Sequence, residues 1–76
     1  MEYPIYPNPT DGQFTIETNS TDKVTMDLYD LNGRHVFTKS VSDKSNIDVT
    51  MLNDGIYTIT IKSVDQVINK KLVIVH

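Results

Sequence analysis

Turn-forming residues recur at short intervals along the whole of this 76-residue chain. They form six groups: Asp11-Gly12, Asn19-Ser20-Thr21-Asp22, Asn32-Gly33, Ser42-Asp43-Lys44-Ser45, Asn53-Asp54-Gly55 and Asp65-Gln66. The segments between these groups are rich in valine, isoleucine, threonine and aromatic residues, and none has a convincing helical period. Turns spaced every ~8–12 residues between such segments are typical of an antiparallel sandwich or barrel.

Apolar and polar residues alternate within these segments, which is the pattern of half-buried strands. The alternation predicts seven strands at residues 3–6, 14–18, 23–29, 34–41, 46–50, 56–63 and 66–75. The predicted fold class is therefore all-β, a seven-stranded antiparallel sandwich. The residues expected inside it are Phe14, Ile16, Val24, Met26, Leu28, Ile47, Val49, Ile59 and Ile61. The Asn32-Gly33 pair suits a tight primed hairpin turn, because both residue types tolerate positive φ.

Two predicted strands break the alternation. Val36 and Phe37 are adjacent apolar residues, so either a bulge lies there or the Phe37 ring is partly exposed, and we favour the exposed ring. The last strand contains Leu72, Val73, Ile74 and Val75 in succession, so only one pair of these side chains can point at the core of a single sandwich. We expect the other pair to be covered by a loop or left exposed for a partner.

Composition excludes several classes of function. Seven Lys and Arg against ten Asp and Glu give a formal charge of −3, which argues against nucleic-acid binding because that needs a basic face. Cysteine is absent, so neither disulfides nor structural zinc-thiolate sites supplement the thin core of so small a domain. The longest apolar run has four residues, far fewer than the ~20 of a membrane helix, so we expect a protein that is not membrane-embedded.

A search for catalytic and metal-binding residues finds no convergent set. His35 is expected in an exposed strand position, and neither it nor His76 has an acid, base or nucleophile partner in the pattern. An EF-hand aligned on Gly33 would put Leu28 and Lys39 where carboxylate ligands are required, so it is excluded, although incidental calcium at a turn stays open. Most of six candidate aspartates fall in turns, where Asp side chains bond the local backbone; the six are Asp27, Asp30, Asp43, Asp48, Asp54 and Asp65. We predict no enzymatic activity, no cofactor and no small-molecule substrate.

Four motifs in register give the chain a family resemblance. They are YPNPTDG at residues 6–12, DLYDLNGRHV at 27–36, LNDGIYTITI at 52–61 and KKLVIV at 70–75. In this order and spacing the chain resembles the type A C-terminal sorting domain of the type IX (Por) secretion system of Bacteroidota. The resemblance covers nearly the whole chain, from Tyr3 to His76.

The resemblance implies an Ig-like β-sandwich that serves as a secretion signal. Members of the family direct a fused cargo from the periplasm across the outer membrane, and a sortase then removes the domain and often links the cargo to lipopolysaccharide. The implied partners are the outer-membrane translocon, a shuttle protein, the sortase and an N-terminally fused cargo. Because only Met1 and Glu2 precede the region of resemblance, which begins at Tyr3, we expect a single domain, residues 1–76, excised from a larger secreted protein. The implied location is the periplasm in transit, then the cell surface or medium.

Each motif also has a physical interpretation. In YPNPTDG, which contains Tyr6, Pro7, Asn8, Pro9 and Gly12, the prolines would stiffen the connector to the cargo, or equally blunt an edge strand against aggregation. Asn32 and Gly33 form the hairpin turn described above. In LNDGIY, Gly55 would permit the turn and Tyr57 would hydrogen-bond back across it, as in a tyrosine corner.

The family precedent places recognition by the export machinery in the last strand. The residues expected to bind that machinery are Lys70, Lys71, Leu72, Val73, Ile74 and Val75. In the alternative interpretation the two lysines only protect an edge against aggregation. We expect an unpaired edge or a spare apolar face on this strand to bind a partner.

A different class of function also fits a small β-sandwich. An Ig-like or fibronectin-like accessory module would bind carbohydrate through exposed aromatic rings, or act as a spacer. The candidate rings are Tyr3, Tyr6, Tyr29 and Phe37.

Overall fold

The computed structural model describes residues 3–18, 24–64 and 66–76. Seven strands follow one another there: β1 (Ile5–Tyr6), β2 (Gln13–Glu17), β3 (Val24–Tyr29), β4 (His35–Val41), β5 (Lys44–Asp48), β6 (Gly55–Lys62) and β7 (Val67–Ile74). These described residues contain no helix, so the all-β prediction is confirmed. The predicted turns at residues 19–22 and at residue 65, and the first residue of the predicted third strand, lie outside the described residues.

The strands form two sheets. Strands β1, β2 and β5 make a three-stranded sheet in the order β1-β2-β5, and the others make a four-stranded sheet in the order β4-β3-β6-β7. Every pairing between named strands is antiparallel. This arrangement confirms the predicted seven-stranded antiparallel Ig-like β-sandwich. It also makes β7 and β4 the two outer strands of the larger sheet.

The core lies between the sheets and is filled by the alternating side chains. All nine residues predicted to be inside are buried, because successive side chains of a strand point to opposite faces. Five further apolar side chains complete the core: Tyr3, Val41, Tyr57, Leu72 and Ile74.

The bounds of β1 and β5 differ from the prediction. Strand β1 has only two residues because Pro4 and Pro7, which flank it, have no N–H to donate. Strand β5 begins two residues earlier than predicted, directly after Asp43, whose φ of 55° turns the chain. It ends at Asp48, whose carboxylate accepts hydrogen bonds from the Thr50 N–H (2.9 Å) and hydroxyl (2.7 Å) and so replaces the strand ladder with a local turn.

Strands β3 and β4 are joined by the predicted hairpin, but the prediction of its turn type is wrong. Among the described non-glycine residues Asp43 has positive φ and Asn32 does not, whereas a two-residue primed turn needs positive φ at both central residues. Instead Gly33 has φ 83°, and its N–H donates to the Asp30 carbonyl at 3.0 Å in a wider turn closed by Arg34. The Asp30 carboxylate accepts from the Arg34 and Asn32 N–H groups, which lower the pKa of Asp30.

A β-bulge lies where the fourth strand breaks the alternation. Leu28 pairs with Phe37 and Tyr29 pairs with His35, which leaves Val36 without an opposite residue. Val36 and Phe37 are both half-buried and pack against the core. The bulge and the partly exposed ring, which the sequence presented as alternatives, therefore occur together.

Candidate functional site

The last strand, β7, divides its apolar residues between the core and the surface. Leu72 and Ile74 are fully buried, whereas Val73 is half-buried and Val75 is 53% exposed. The expectation that only one pair points at the core is thus confirmed. The Val73 and Val75 side chains belong to the outer face of the four-stranded sheet, since side chains alternate along a strand.

The proline segment lies along the outer edge of β7. The Asn8 side-chain amide donates to the Lys71 carbonyl at 2.8 Å and accepts from the Val73 N–H at 3.1 Å. The Thr10 N–H donates to the Val73 carbonyl at 2.8 Å, and the Val75 N–H donates to the Thr10 carbonyl at 2.9 Å. Asn8 and Thr10, which we call the N-terminal clamp, therefore occupy the edge with four hydrogen bonds.

The predicted unpaired edge is therefore wrong for the last part of the strand. Thr10 forms an isolated parallel bridge with Ile74, so its backbone pairs with the edge of β7 at one position. The sequence did not show this, because the two motifs lie more than 60 residues apart and Asn8 pairs through its side chain rather than its backbone.

The first part of the β7 edge has no strand beside it in the described chain. Backbone groups of a strand point alternately to its two sides, and those of Val73 and Val75 point to the clamp. By the same two-residue period, the Val67 and Asn69 backbone groups and the Lys71 N–H point outward too. We call this stretch, residues 67–71, the open edge.

The two lysines beside the open edge have different surroundings. Lys71 lies opposite Thr58 and is exposed, whereas Lys70 lies opposite the buried Ile59 and is half-buried. Neither lysine takes part in an ion pair with the described residues. The Lys71 side chain is therefore at the surface, whereas the Lys70 side chain is partly covered.

Thr10 and Gly12 fix the path of the chain between the clamp and β2. The buried Thr10 hydroxyl donates to the Gln13 carbonyl at 2.6 Å and accepts from the Gly12 N–H at 3.2 Å. Gly12 has φ 150°, and a Cβ atom added there would lie 2.7 Å from the Thr50 methyl carbon. The position therefore requires glycine for both its backbone conformation and its lack of a side chain.

The rest of the first motif is at the surface. Pro7, Asn8 and Pro9 are exposed, and the Tyr6-Pro7 and Asn8-Pro9 peptide bonds are cis. The Tyr6 hydroxyl donates to the Glu17 carboxylate, and this hydrogen bond raises the pKa of Tyr6. The stiffness expected of this connector stays a prediction.

The third motif contains the expected tyrosine hydrogen bond. The Tyr57 hydroxyl donates to the Asn53 carbonyl at 2.8 Å, across the turn that precedes β6, and the ring is buried. Gly55 lies at the start of β6, opposite Ile74, rather than within the turn. This motif therefore holds the loop that lies beside the end of β7.

His76 docks into the turns of the first and third motifs, which the sequence did not indicate. Its Nδ1 lies 3.1 Å from the Asp11 carbonyl oxygen and its Nε2 lies 2.7 Å from the Leu52 carbonyl oxygen. Both ring nitrogens must carry a proton to donate to carbonyls, so the arrangement fits an imidazolium. The Leu52 carbonyl contributes most to a raised pKa of His76, followed by the Asp11 carbonyl, while the Asp54 carboxylate, 3.7 Å from Nε2, adds a smaller effect.

Asp27, expected among solvated carboxylates, is instead buried on the outer face of the four-stranded sheet. The Thr38 hydroxyl donates to this carboxylate and lowers the pKa of Asp27. His35 Nε2 lies 3.1 Å from the carboxylate and 2.7 Å from the Thr38 hydroxyl. A catalytic triad needs the acid and the nucleophile at opposite ring nitrogens, whereas here both meet Nε2, so the cluster does not form a relay.

The four candidate rings for carbohydrate binding lie in different parts of the sandwich. Tyr3, considered as an exposed ring, is buried in the core, so that expectation is wrong. Tyr6 is on the three-stranded sheet, while Tyr29 packs edge-on against His35 on the four-stranded one. Phe37 lines an open groove of about 350 Å³ at the opposite side of the sandwich from β7.

The described ranges contain no group of three or more His, Cys, Asp or Glu side chains placed to hold a metal ion. They also contain no helix long and apolar enough to span a bilayer.

Comparison with protein families decides the affiliation. The family model described as the secretion system C-terminal sorting domain matches residues 4–75, nearly the whole chain. The chain belongs to this family. The comparison with curated proteins found no match.

Membership of the sorting-domain family sets the coarse function. The chain is a C-terminal sorting signal of the type IX secretion system, which implies an N-terminal cargo and export to the cell surface or the medium. Sorting domains are not an enzyme family. Within this domain, the structure brings the first, third and fourth motifs together at the end of β7, and leaves Asn32 and Gly33 of the second motif in an exposed hairpin.

Proposed function

We propose that this sorting domain takes a cargo fused to its N-terminal side from the periplasm across the outer membrane, by presenting β7 to the translocon and its shuttle protein. The observation that carries the proposal is the meeting of the proline segment with β7. The segment that leads to the cargo is hydrogen-bonded to the strand that the family precedent assigns to recognition.

Removal of the domain by a cell-surface sortase forms the second part of the proposal. Pro7, Asn8 and Pro9 are exposed and lie outside the named strands, so a protease can reach this stretch without unfolding a sheet. We place the cleavage on the N-terminal side of the clamp, followed by attachment of the released cargo to lipopolysaccharide.

The proposal is tested by fusing a periplasmic reporter protein ahead of residues 1–76 in a bacterium with a type IX system. The reporter should reach the surface or medium when it carries the domain, and stay in the periplasm without it. A strain lacking the translocon is the control, and there the fusion should also stay in the periplasm. A folded fusion that remains periplasmic in cells exporting their own type IX substrates would refute the proposed function.

A further inference from the structure

We propose that the open edge of β7, residues 67–71, is a strand-addition site for an extended partner segment that carries carboxylates. This inference rests on the proposed function and deepens it, because it names the part of β7 that is read and the chemistry of the partner. It also separates the open edge from the last part of β7, where the clamp bonds the Lys71 carbonyl and the backbone groups of Val73 and Val75.

The backbone of the open edge is ready for pairing. The N–H and C=O groups of Val67 and Asn69 point away from β6, and a row of such groups is a template for another strand. The clamp already shows chain bonded along the same edge, at Val73 and Val75, through the Thr10 backbone and the Asn8 side chain. A partner strand that pairs at the open edge would continue this row without displacing Asn8 or Thr10.

The charges beside the open edge indicate an acidic partner. Lys70 and Lys71 lack an ion pair with the described residues. Lys62, opposite Val67, does not add to them, because its ammonium group lies 3.8 Å from the Asp27 carboxylate of β3, on the far side of β6 from the open edge. Carboxylates on an added strand would come next to the ammonium groups of Lys70 and Lys71, which favours association.

The test compares two substitutions at one residue in the reporter fusion. Asn69→Pro removes the outward N–H, yet no hydrogen bond within the sheet, so the fold should survive while strand addition fails. Asn69→Ala is the matched control, since both variants lose the hydrogen bond from Thr60 (2.9 Å) but only alanine keeps the N–H. We expect a fall in exported reporter of about tenfold or more for proline, corresponding to the loss of a pairing interaction, and near-normal export for alanine.

The outcomes separate this inference from the proposed function. Export of the unsubstituted fusion establishes the proposed function. Normal export of Asn69→Pro would then overturn only the inference of strand addition at the open edge. Equal losses for proline and alanine would overturn it too, because the effect would follow the side chain and not the N–H. Thermal unfolding of the purified variants shows whether each one folds.

A second pair of variants keeps the inference testable if Asn69→Pro does not fold. Lys71→Glu should reduce export and Lys71→Arg should preserve it, because only the first reverses a charge that faces the partner. Normal export of a folded Lys71→Glu variant would contradict the acidic partner.

Discussion

A single imidazole connects three parts of the sorting domain at the end of β7. The His76 ring donates to the Asp11 and Leu52 carbonyls, while the His76 backbone N–H donates to the Asp54 carboxylate at 3.1 Å. A charged ring fits these acceptors and a neutral ring fits only one of them, since a neutral imidazole has one N–H. The attachment of residue 76 to the motif turns is thus coupled to pH.

His76 should titrate above its ordinary pKa of 6.5 in the folded domain. Because the folded pKa is raised, the stabilisation from this contact is complete below pH 6.5 and is lost as the pH rises through the folded value. The measurement is an NMR titration of the ring signals in the folded chain and in the same chain unfolded in urea. Equal pKa values in the two states would contradict the docked imidazolium.

Gly12→Ala should destabilise the domain by about 1–3 kcal/mol, the range for residues held in unfavourable backbone regions. The added methyl also meets the Thr50 methyl carbon at 2.7 Å, and the Thr50 hydroxyl is fixed by Asp48. Gly33→Ala is the control, because its φ is also positive but no atom lies within 4 Å of the new Cβ. Urea unfolding should show the larger loss at Gly12, and an equal or larger loss at Gly33 would show that the close contact has no effect.

Among the elements, the clamp most changes the structural interpretation of the first motif. The sequence predicts that the prolines of the first motif stiffen a connector or blunt an edge. The structure shows that Asn8 and Thr10, between and after the prolines, cover the edge of a strand more than 60 residues away. The clamp therefore covers the edge of β7 at its last residues, and protection against edge-to-edge aggregation by the prolines stays a prediction.

Asn8→Ala should weaken the clamp. The substitution removes two hydrogen bonds, and because Asn8 is exposed we expect a loss of only about 1 kcal/mol in stability. Amide exchange at Val73, whose N–H loses its acceptor, should accelerate on the order of fivefold or more, while exchange at the core residue Ile59 should accelerate by no more than the loss in global stability requires.

Asn46→Ala is a suitable control, since Asn46 is an exposed strand asparagine without a side-chain hydrogen bond in the described chain. It should leave exchange at Val73 unchanged. Unaltered Val73 exchange in Asn8→Ala itself would show that the amide does not hold the edge.

Local patterns in the sequence predicted most of the fold, and what they missed comes from local backbone geometry in the turns and from contacts between distant segments. Alternation depends on a two-residue period within each strand, so it located the core from Phe14 to Ile61 correctly. The turn at Asn32-Gly33 was assigned incorrectly because Asp30 offers the backbone hydrogen bonds that favour a wider turn. Strand β5 begins earlier than predicted because the chain turns at Asp43, which adopts positive φ. The residue type alone does not require this conformation.

At the scale of the whole molecule, the two sides of the sandwich differ. At one side β7 has a clamped part, an open edge and two lysines without described ion pairs. At the other side β4 and β5 border the groove with Phe37 and Met51. The family resemblance identified the last strand as the candidate site, but only the tertiary contacts divided it into covered and open parts.

Site-specific photo-crosslinking in exporting cells tests most directly the claim that the machinery reads the β7 side. A photoreactive residue at Val67, which is 61% exposed beside the open edge, is compared with one at Met51, which is 70% exposed at the opposite groove. We predict adducts with outer-membrane components of the type IX system from position 67 and none from position 51. Adducts from position 51 but not from position 67, with the reporter still exported, would contradict the account.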